Sequence, residues 1–387
     1  MNVLVASHIY PSQAYPSRGT FVHNQALFLQ SLCRLEIIAP VPWFPALSGF
    51  GRWSAYGRVA RSERLDGMEI MHPRYVSFPR RVLFDLAWRF YLVVLRRSVK
   101  TVPDIIHAHF AYPDGLAAVE YGRQIGRPVV ISVHGYDVRE LPKANPRWRV
   151  LIHKALTKAD AVIASSEDIR RRVLDLGVAA QRIHAIPQGV DCELFRPGQR
   201  RSVAAGGCWR LLYVGRFDKR KGLGVLLEAV AHLQAAGQDV CLTMVGGDPV
   251  SGGAEPFRRQ AEWLGIQDRA KFVDAVPWQE VTKYMAETDI FVLPSYYDSF
   301  GIVLIEAMAC GKPVVATRCG GPDNIVEPGT GELVEVGDSR ALAQGIQQVI
   351  NQYDQYSPEV IRGLVEERYD YRQVARGIKA VYDSLVV

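Results

Sequence analysis

Short apolar runs alternate along this chain with segments whose apolar residues recur at helical spacing. In the first half the runs are Val3–Ala6, Glu36–Ala39, Ile105–Ala108, Val129–Val133, Ala161–Ala164 and Arg182–Ile186. Between them lie helical patterns. Phe21, Val22, Gln25, Ala26, Leu29 and Leu32 predict a helix over Thr20–Leu32, and residues 82–97 predict another. The segment Arg196–Gly207, rich in Gly, Pro and Arg, reads as a linker. Strand-like runs then resume at Leu211–Val214, Val240–Val245, Lys271–Val273, Asp289–Pro294 and Pro313–Ala316, and helical segments close the chain through Asn351 and Tyr369 to Leu385. Strand–helix alternation of this kind builds parallel sheets. The expected fold class is therefore α/β, with two Rossmann-like doubly wound domains facing across a cleft. An N-terminal domain is expected over 1–195 and a second over 208–365, with 366–387 a C-terminal helix packing back on the first. Ligands of such sheets bind at the carboxyl ends of the strands, so polar residues just past each run are the candidates.

Composition agrees with this picture and narrows it. A chain of 387 residues is too long for one ordinary domain. At 48% apolar and 22% charged it has the make-up of a soluble globular protein. No stretch reaches the roughly 20 apolar residues that span a bilayer. Met1-Asn-Val-Leu-Val-Ala6 lacks a basic leader and reads as a first strand, not a signal peptide. Cysteines 33, 192, 208, 241, 310 and 319 show neither CxxC nor zinc spacing. Free thiols and a reducing, cytoplasmic compartment are the expectation.

Charge is uneven: residues 1–195 carry a net +9 and residues 196–387 a net −3. The excess gathers between Arg52 and Lys100, where aromatics interleave, with Trp43, Phe44, Phe50 and Trp53 in and before it. One reading is a face for an anionic inner-membrane surface, where each basic residue adds about 1 kcal/mol. The other is an ordinary core-packing helix over 82–97 with arginines on its solvated side. No nucleic-acid motif accompanies the charge.

Chemistry concentrates in the second half. Asp298 and Glu306 stand eight positions apart around Gly301, just after the run Asp289–Leu293. With a helix starting near Gly301, Glu306 falls inside it and Asp298 on the loop before it. The unbonded N–H groups of the first turn are then an anion site between two carboxylates. That layout suits a nucleotide sugar, although an ordinary strand–loop–helix unit with solvated acids has the same spacing. Gly215-Arg-Phe-Asp-Lys-Arg-Lys-Gly222 follows a strand and clusters Arg216, Lys219, Arg220 and Lys221, cations able to neutralise a diphosphate or simply to line a solvated turn. In the first half, His134 ends a strand beside a glycine. His107 and His109 alternate along another, so their rings point the same way, yet no third metal ligand is apparent. Gly19 ends a loop where a ligand could approach backbone. A dinucleotide-type GxGxxG turn is absent after the first strand, where His8-Ile-Tyr-Pro-Ser-Gln13 stands instead.

Together these segments resemble glycosyltransferase family 4, the retaining nucleotide-sugar-dependent enzymes of GT-B type. Gly215-Arg-Phe through Lys221-Gly222 matches the family's diphosphate motif. Asp298 to Glu306 matches its Glu-x7-Glu signature, followed by Ala307-Met-Ala-Cys-Gly-Lys-Pro-Val-Val-Ala316. Gly320-Gly321, Ile325-Val326 and Thr330-Gly331, the loop at Gly19, His134-Gly135 and Ile186-Pro-Gln-Gly-Val-Asp191 fit as well, and a looser likeness points to members building teichuronic-acid-type polysaccharides. The resemblance implies Arg216, Lys221, His134 and Asp298 as catalytic residues. It implies Glu306, Gly19, Gly215, Ser299, Phe300, Gly301, Ile302 and Val303 as donor-binding, with no metal and no cofactor. UDP- or GDP-linked sugars are the implied donors and a saccharide or lipid-linked saccharide the acceptor. Trp43, Trp53 and His109 are the acceptor-side candidates, because aromatic faces stack on sugar rings. Asp298 departs from the family's Glu, Gln188 from its Asn and Asp323 from its Glu. Sugar epimerases and glycan phosphorylases share the architecture, but a phosphorylase needs a Schiff-base lysine and usually a longer chain. A nucleotide-sugar-binding subunit without catalysis is the remaining alternative.

Overall fold

In a computed structural model of the chain, residues 1–43, 52–198, 207–247 and 253–386 are described. Phe44, Phe50 and most of the expected linker lie outside them. The chain divides into two compact units, Met1–Pro187 with Tyr371–Val387, and Gln188–Asp370. The first unit thus closes before the expected 195, and the second extends past 365.

The first unit contains β1 (Asn2–Ala6), β2 (Arg34–Ile38), β3 (Val41–Pro42), β4 (Ser62–Leu65), β5 (Met68–Met71), β6 (Arg74–Tyr75), β7 (Ile105–His109), β8 (Val129–Val133), β9 (Ala161–Ala164) and β10 (Ile183–Ala185). Its main sheet runs β10-β9-β8-β7-β1-β2-β5-β4, while β3 and β6 pair separately. Every pairing in the main sheet is parallel except β4 with β5. That edge hairpin was not expected from the apolar pattern. It closes through Asp66-Gly67, both at positive φ (45° and 83°), the turn whose twist matches the strands it joins. β1 and β7 are neighbours from which the chain proceeds in opposite directions across the sheet, so their carboxyl ends form the switch point where such folds hold ligands.

Helix Thr20–Leu29 stops one turn short of the expected Leu32. The predicted helix over 82–97 begins only at Ala87 and runs to Ser98. Leu83 has positive φ (52°), as do Arg80 and Arg81 just before the expected start (54° and 60°), which no right-handed helix accommodates, and a short 3-10 turn, Phe84–Leu86, precedes the helix. The C-terminal helix Tyr371–Leu385 belongs to the first unit. Its Val374, Ile378 and Tyr382 pack with Val22, Ala26 and Leu29 of helix Thr20–Leu29 and with Val3 and Val5 of β1. Truncating the wholly buried Ile378 to Ala should cost about 2–5 kcal/mol and loosen that helix first.

The second unit holds β11 (Trp209–Val214), β12 (Val240–Gly247), β13 (Ala270–Asp274), β14 (Ile290–Leu293), β15 (Val314–Thr317) and β16 (Gly331–Val334). All are parallel, in the order β13-β12-β11-β14-β15-β16, so the switch point falls between β11 and β14. Strand residues such as Leu211, Met244, Ile290 and Val314 are almost wholly buried, as helices on both faces of a parallel sheet require. One cysteine expectation is corrected: Cys208 and Cys241 are joined as a disulfide between the start of β11 and β12. Both sit at neighbouring strand starts, a proximity that sequence spacing does not reveal. Cys33, Cys192, Cys310 and Cys319 are free and buried.

Candidate functional site

In the second unit two loops meet at the switch point. After β11 the chain turns through Gly215, whose N–H donates to Val245 O at 2.9 Å. Phe217 anchors the loop by burying its ring against Phe257 and Phe272. Asp218 accepts from the Arg220 backbone at 2.9 Å and pairs with its guanidinium at 2.6 Å. The Arg220 bond is the main force holding Asp218 at about 2. Arg220 is therefore committed to its own loop. Lys221 reaches across instead, its Nζ donating to Asp298 Oδ2 at 2.7 Å. Gly222 explains how the loops come so close. It has φ 69°, and a Cβ there would sit 1.8 Å from the Pro294 carbonyl oxygen. The Tyr296 N–H, past β14, donates to Arg220 O at 2.9 Å. Arg216 is exposed at the rim, its carbonyl accepting from the Tyr213 hydroxyl at 3.0 Å.

The loop after β14 is held from beneath by Thr317, whose hydroxyl donates to Ser295 O at 2.5 Å. Asp298 pairs with the turn after β15, its carbonyl accepting from Gly321 N at 2.9 Å. A Cβ on Gly321 would stand 2.3 Å from Phe300 Cα, so only glycine fits. Gly301 (φ 98°) then opens helix Ile302–Ala309 and supplies no side-chain cap. The first-turn N–H groups lie at the carboxyl end of β14, where an anion is their natural partner. Glu306 lies inside that helix, 4% exposed. Burial pushes its carboxyl up to about 7, and a hydrogen bond from Trp278 Nε1 to Oε1 at 2.7 Å pulls the other way. Lys221 thus ties the loop after β11 to the segment Asp298–Glu306, whose first acid lies on the loop and whose second lies inside helix Ile302–Ala309. Trp278 went unnoticed in the sequence. Its place just past β13 was the available signal.

In the first unit Gly19 has φ 75°, and a Cβ there would lie 2.5 Å from Ile9 O. The loop after β1 therefore packs directly on the start of helix Thr20–Leu29. His134, half-buried past β8, stacks on His109 (centroids 5.4 Å, 9° between planes) and contacts Phe21 and Phe110 at 4.8 and 4.7 Å. Burial, helped by His107, holds the His134 imidazole down to about 3, so it is neutral. The His134 backbone N–H donates to Asp137 Oδ1 at 3.0 Å. His109 is only 2% exposed and enclosed between the rings of His107 and His134. It supports His134 and offers no face to an acceptor. His107 bonds the Tyr382 hydroxyl at 2.5 Å and Ser132 Oγ at 2.8 Å. Among the described residues no group of three or more His, Cys, Asp or Glu is arranged to hold a metal ion. Trp43 is 61% exposed, and Trp53 packs edge-on against Tyr56 at 5.6 Å.

The basic region resolves into two parts. Helix Ala87–Ser98 buries Tyr91, Leu92 and Leu95 and exposes Arg96 and Arg97, an ordinary amphipathic helix. Just before it, Val76, Phe78, Val82 and Leu83 are exposed by 40–57% around Arg80 and Arg81. The Arg81 guanidinium lies over Phe84, Tyr136 and Trp148 at 5.4–5.7 Å. No helix among the described residues is long and apolar enough to cross a membrane.

Comparison with known proteins agrees with this geometry. Residues 20–194 match the family described as Glycosyltransferase Family 4, and residues 198–378 match Glycosyl transferases group 1. A Bacillus subtilis protein named as a teichuronic acid biosynthesis glycosyltransferase, TuaC, is 27% identical, aligned over 100% of this chain and 99% of its own. A D-inositol 3-phosphate glycosyltransferase of Frankia alni is 31% identical over 83% of this chain and 85% of its own. Among solved structures, sucrose-phosphate synthase from Thermosynechococcus elongatus superposes with a TM-score of 0.78 at 23% identity, covering 99% of this chain and 98% of that one. Anabaena HepE in complex with UDP superposes at 0.75 with 19% identity, covering 100% of each. At such identities the structures speak to fold alone.

Proposed function

This chain belongs to glycosyltransferase family 4, with the GT-B fold, and from that premise we propose a retaining, metal-independent hexosyltransferase of cell-surface polysaccharide synthesis. The donor is a UDP- or GDP-linked sugar and the acceptor a saccharide or lipid-linked saccharide. The observation that carries this reading is the Lys221–Asp298 pair, 2.7 Å apart, joining the two switch-point loops beside an uncapped helix start. A diphosphate arriving there meets Lys221, Arg216 and the N–H groups from Phe300 to Val303. Their positive charge stabilises the negative charge that develops on the leaving phosphate, usually the largest single source of rate enhancement in such chemistry. Glu306 holds the ribose hydroxyls, a carboxylate accepting from a vicinal diol. Asp298 and His134 hydrogen-bond the donor sugar. The leaving phosphate oxygen takes the acceptor's proton in a front-face substitution, and no protein nucleophile is required. A relative named for teichuronic acid biosynthesis and a neighbour solved with UDP support the substrate class.

Titrating the protein with a panel of UDP-, GDP- and ADP-sugars, with and without EDTA, tests the reading. Slow hydrolysis of one donor, unaffected by EDTA and lost in Glu306→Ala, is expected. Lys221→Ala should retain less than a tenth of turnover, and near-full activity in that variant would sink the mechanism. Binding without hydrolysis or transfer would favour a nucleotide-sugar-binding subunit. We further propose that the enzyme is peripheral on an anionic membrane surface, on the strength of the exposed segment Val76–Leu83.

A further inference from the structure

The second unit joins its two switch-point loops through Lys221 and Asp298. The first unit has a counterpart at the same topological place, and nothing in the chain's apolar pattern signalled it. His8 follows β1 and Asp114 follows β7, the two strands that flank the first unit's switch point. Asp114 is wholly buried, with its side chain 0% exposed. Its Oδ1 accepts from the His8 backbone N–H at 2.5 Å, and its Oδ2 meets His8 Nδ1 at 2.5 Å. The His8 side chain keeps 21% exposure. The fully buried Tyr91 hydroxyl lies against the same carboxyl: burial first, then the charge of Asp114, push it far up and keep it neutral.

We propose that His8 is a hydroxyl-binding residue for the acceptor, with Asp114 as its positioning residue. This rests on the glycosyltransferase reading. With Nδ1 turned to a carboxyl oxygen of Asp114 and Nε2 turned away from it, the Nδ1–H tautomer is the form that leaves Nε2 as an acceptor for a hydroxyl. A base held by a second group in this way is the arrangement that orients reacting hydroxyls elsewhere. Two further features mark the place as built. Phe110, ending β7, holds φ 77°, a conformation costing about 1–3 kcal/mol for a bulky residue and concentrated at functional sites. Its ring packs on both His8 (5.2 Å) and His134 (4.7 Å), so the residues past β1, β7 and β8 form one row. The close packing of Gly19 on Ile9 fixes the backbone that carries His8. Nε2 accepts the acceptor's O–H and aims its oxygen, while the proton itself passes to the leaving phosphate.

Two substitutions separate this role from a structural one. In His8→Asn the side-chain amide still donates to Asp114, but the outward ring nitrogen is gone. In Asp114→Asn the amide donates to Nδ1, which forces the proton onto Nε2 and turns an acceptor into a donor. Using the donor identified by the nucleotide-sugar panel, both variants should lose at least tenfold in hydrolysis and transfer, while UDP affinity and melting temperature stay near wild type. Long-range proton–nitrogen spectra should show wild-type His8 protonated at Nδ1 and the Asp114→Asn protein protonated at Nε2. An active wild type with an equally active His8→Asn, or a wild-type His8 protonated at Nε2, overturns the proposal. A wild type inert with every donor instead overturns the glycosyltransferase reading on which it rests.

Discussion

Single residues decide whether the second unit's site exists. Gly222 and Gly237 both have left-handed backbones (φ 69° and 80°), yet a Cβ at Gly237 would meet nothing within 4 Å. Gly237→Ala should therefore cost only the roughly 1–2 kcal/mol of that conformation. Gly222→Ala adds a collision with the Pro294 carbonyl, which can yield only by parting the two loops. Denaturant unfolding should show a clearly larger loss there, together with weakened UDP binding. Glu306 makes a pH-dependent case. Its folded value of about 7 lies above the ordinary 4.5, so the folded state binds this proton more tightly than the unfolded chain does. The stabilising effect of that proton is complete below pH 4.5 and is lost as pH rises through 7. The shift corresponds to about 3 kcal/mol. Glu306→Gln should accordingly raise the melting temperature at pH 8 more than at pH 5, while abolishing donor binding at both. An equal shift at the two values would contradict the burial argument. Asp298, one methylene shorter than the family's Glu, is met by Lys221 at 2.7 Å, so the shorter side chain still reaches its cation.

At the scale of elements, helix Ile302–Ala309 and the segment before helix Ala87–Ser98 carry the testable content. If the diphosphate docks on the uncapped helix start, UDP should slow amide exchange at Phe300–Val303 by tenfold or more and leave helix Leu223–Ala235 unchanged. Uniform slowing across the unit would indicate general stabilisation without docking at that turn. For the segment Val76–Leu83, anionic vesicles should sediment the wild-type protein at low salt. Val82→Ser with Leu83→Ser should reduce that binding severalfold, whereas neutral vesicles should bind neither protein. These apolar residues are exposed because left-handed backbone at Arg80, Arg81 and Leu83 prevents a helix from turning them inward. Periodicity over 82–97 predicted one continuous helix, since a pattern of residue types carries no information on where φ changes sign. The hairpin of β4 and β5 escaped for a related reason: Ser62-Glu-Arg-Leu65 is mostly polar, and its strand pairing comes from an edge position with one solvated side.

At the scale of the whole molecule, the C-terminal helix is the element that returns to an earlier part of the chain. It brings Tyr382 to His107, residues separated by 275 positions. His107 and His134 are both held at about 3 by burial, far below the 6.5 of an exposed imidazole. Folding therefore requires them neutral. Their contribution is fully present above pH 6.5 and is lost as pH falls toward 3, several kcal/mol in all. Acid should thus unfold the first unit before the second, and a fluorescence or calorimetric titration from pH 7 to 3 should resolve two transitions. A single transition, or loss of the second unit first, would contradict this. The sequence alone determined the strand–helix alternation and the strand–loop–helix setting of Asp298 and Glu306. Each is a local pattern of apolar spacing, glycine placement or charge, and local patterns survive in one dimension. Tertiary structure alone decided that Lys221 meets Asp298, that Trp278 holds Glu306, that Cys208 meets Cys241 and that His8 is clasped by Asp114. Those pairs join residues 28 to 106 positions apart, and their proximity follows from strand order in the sheets, which no spacing along the chain encodes.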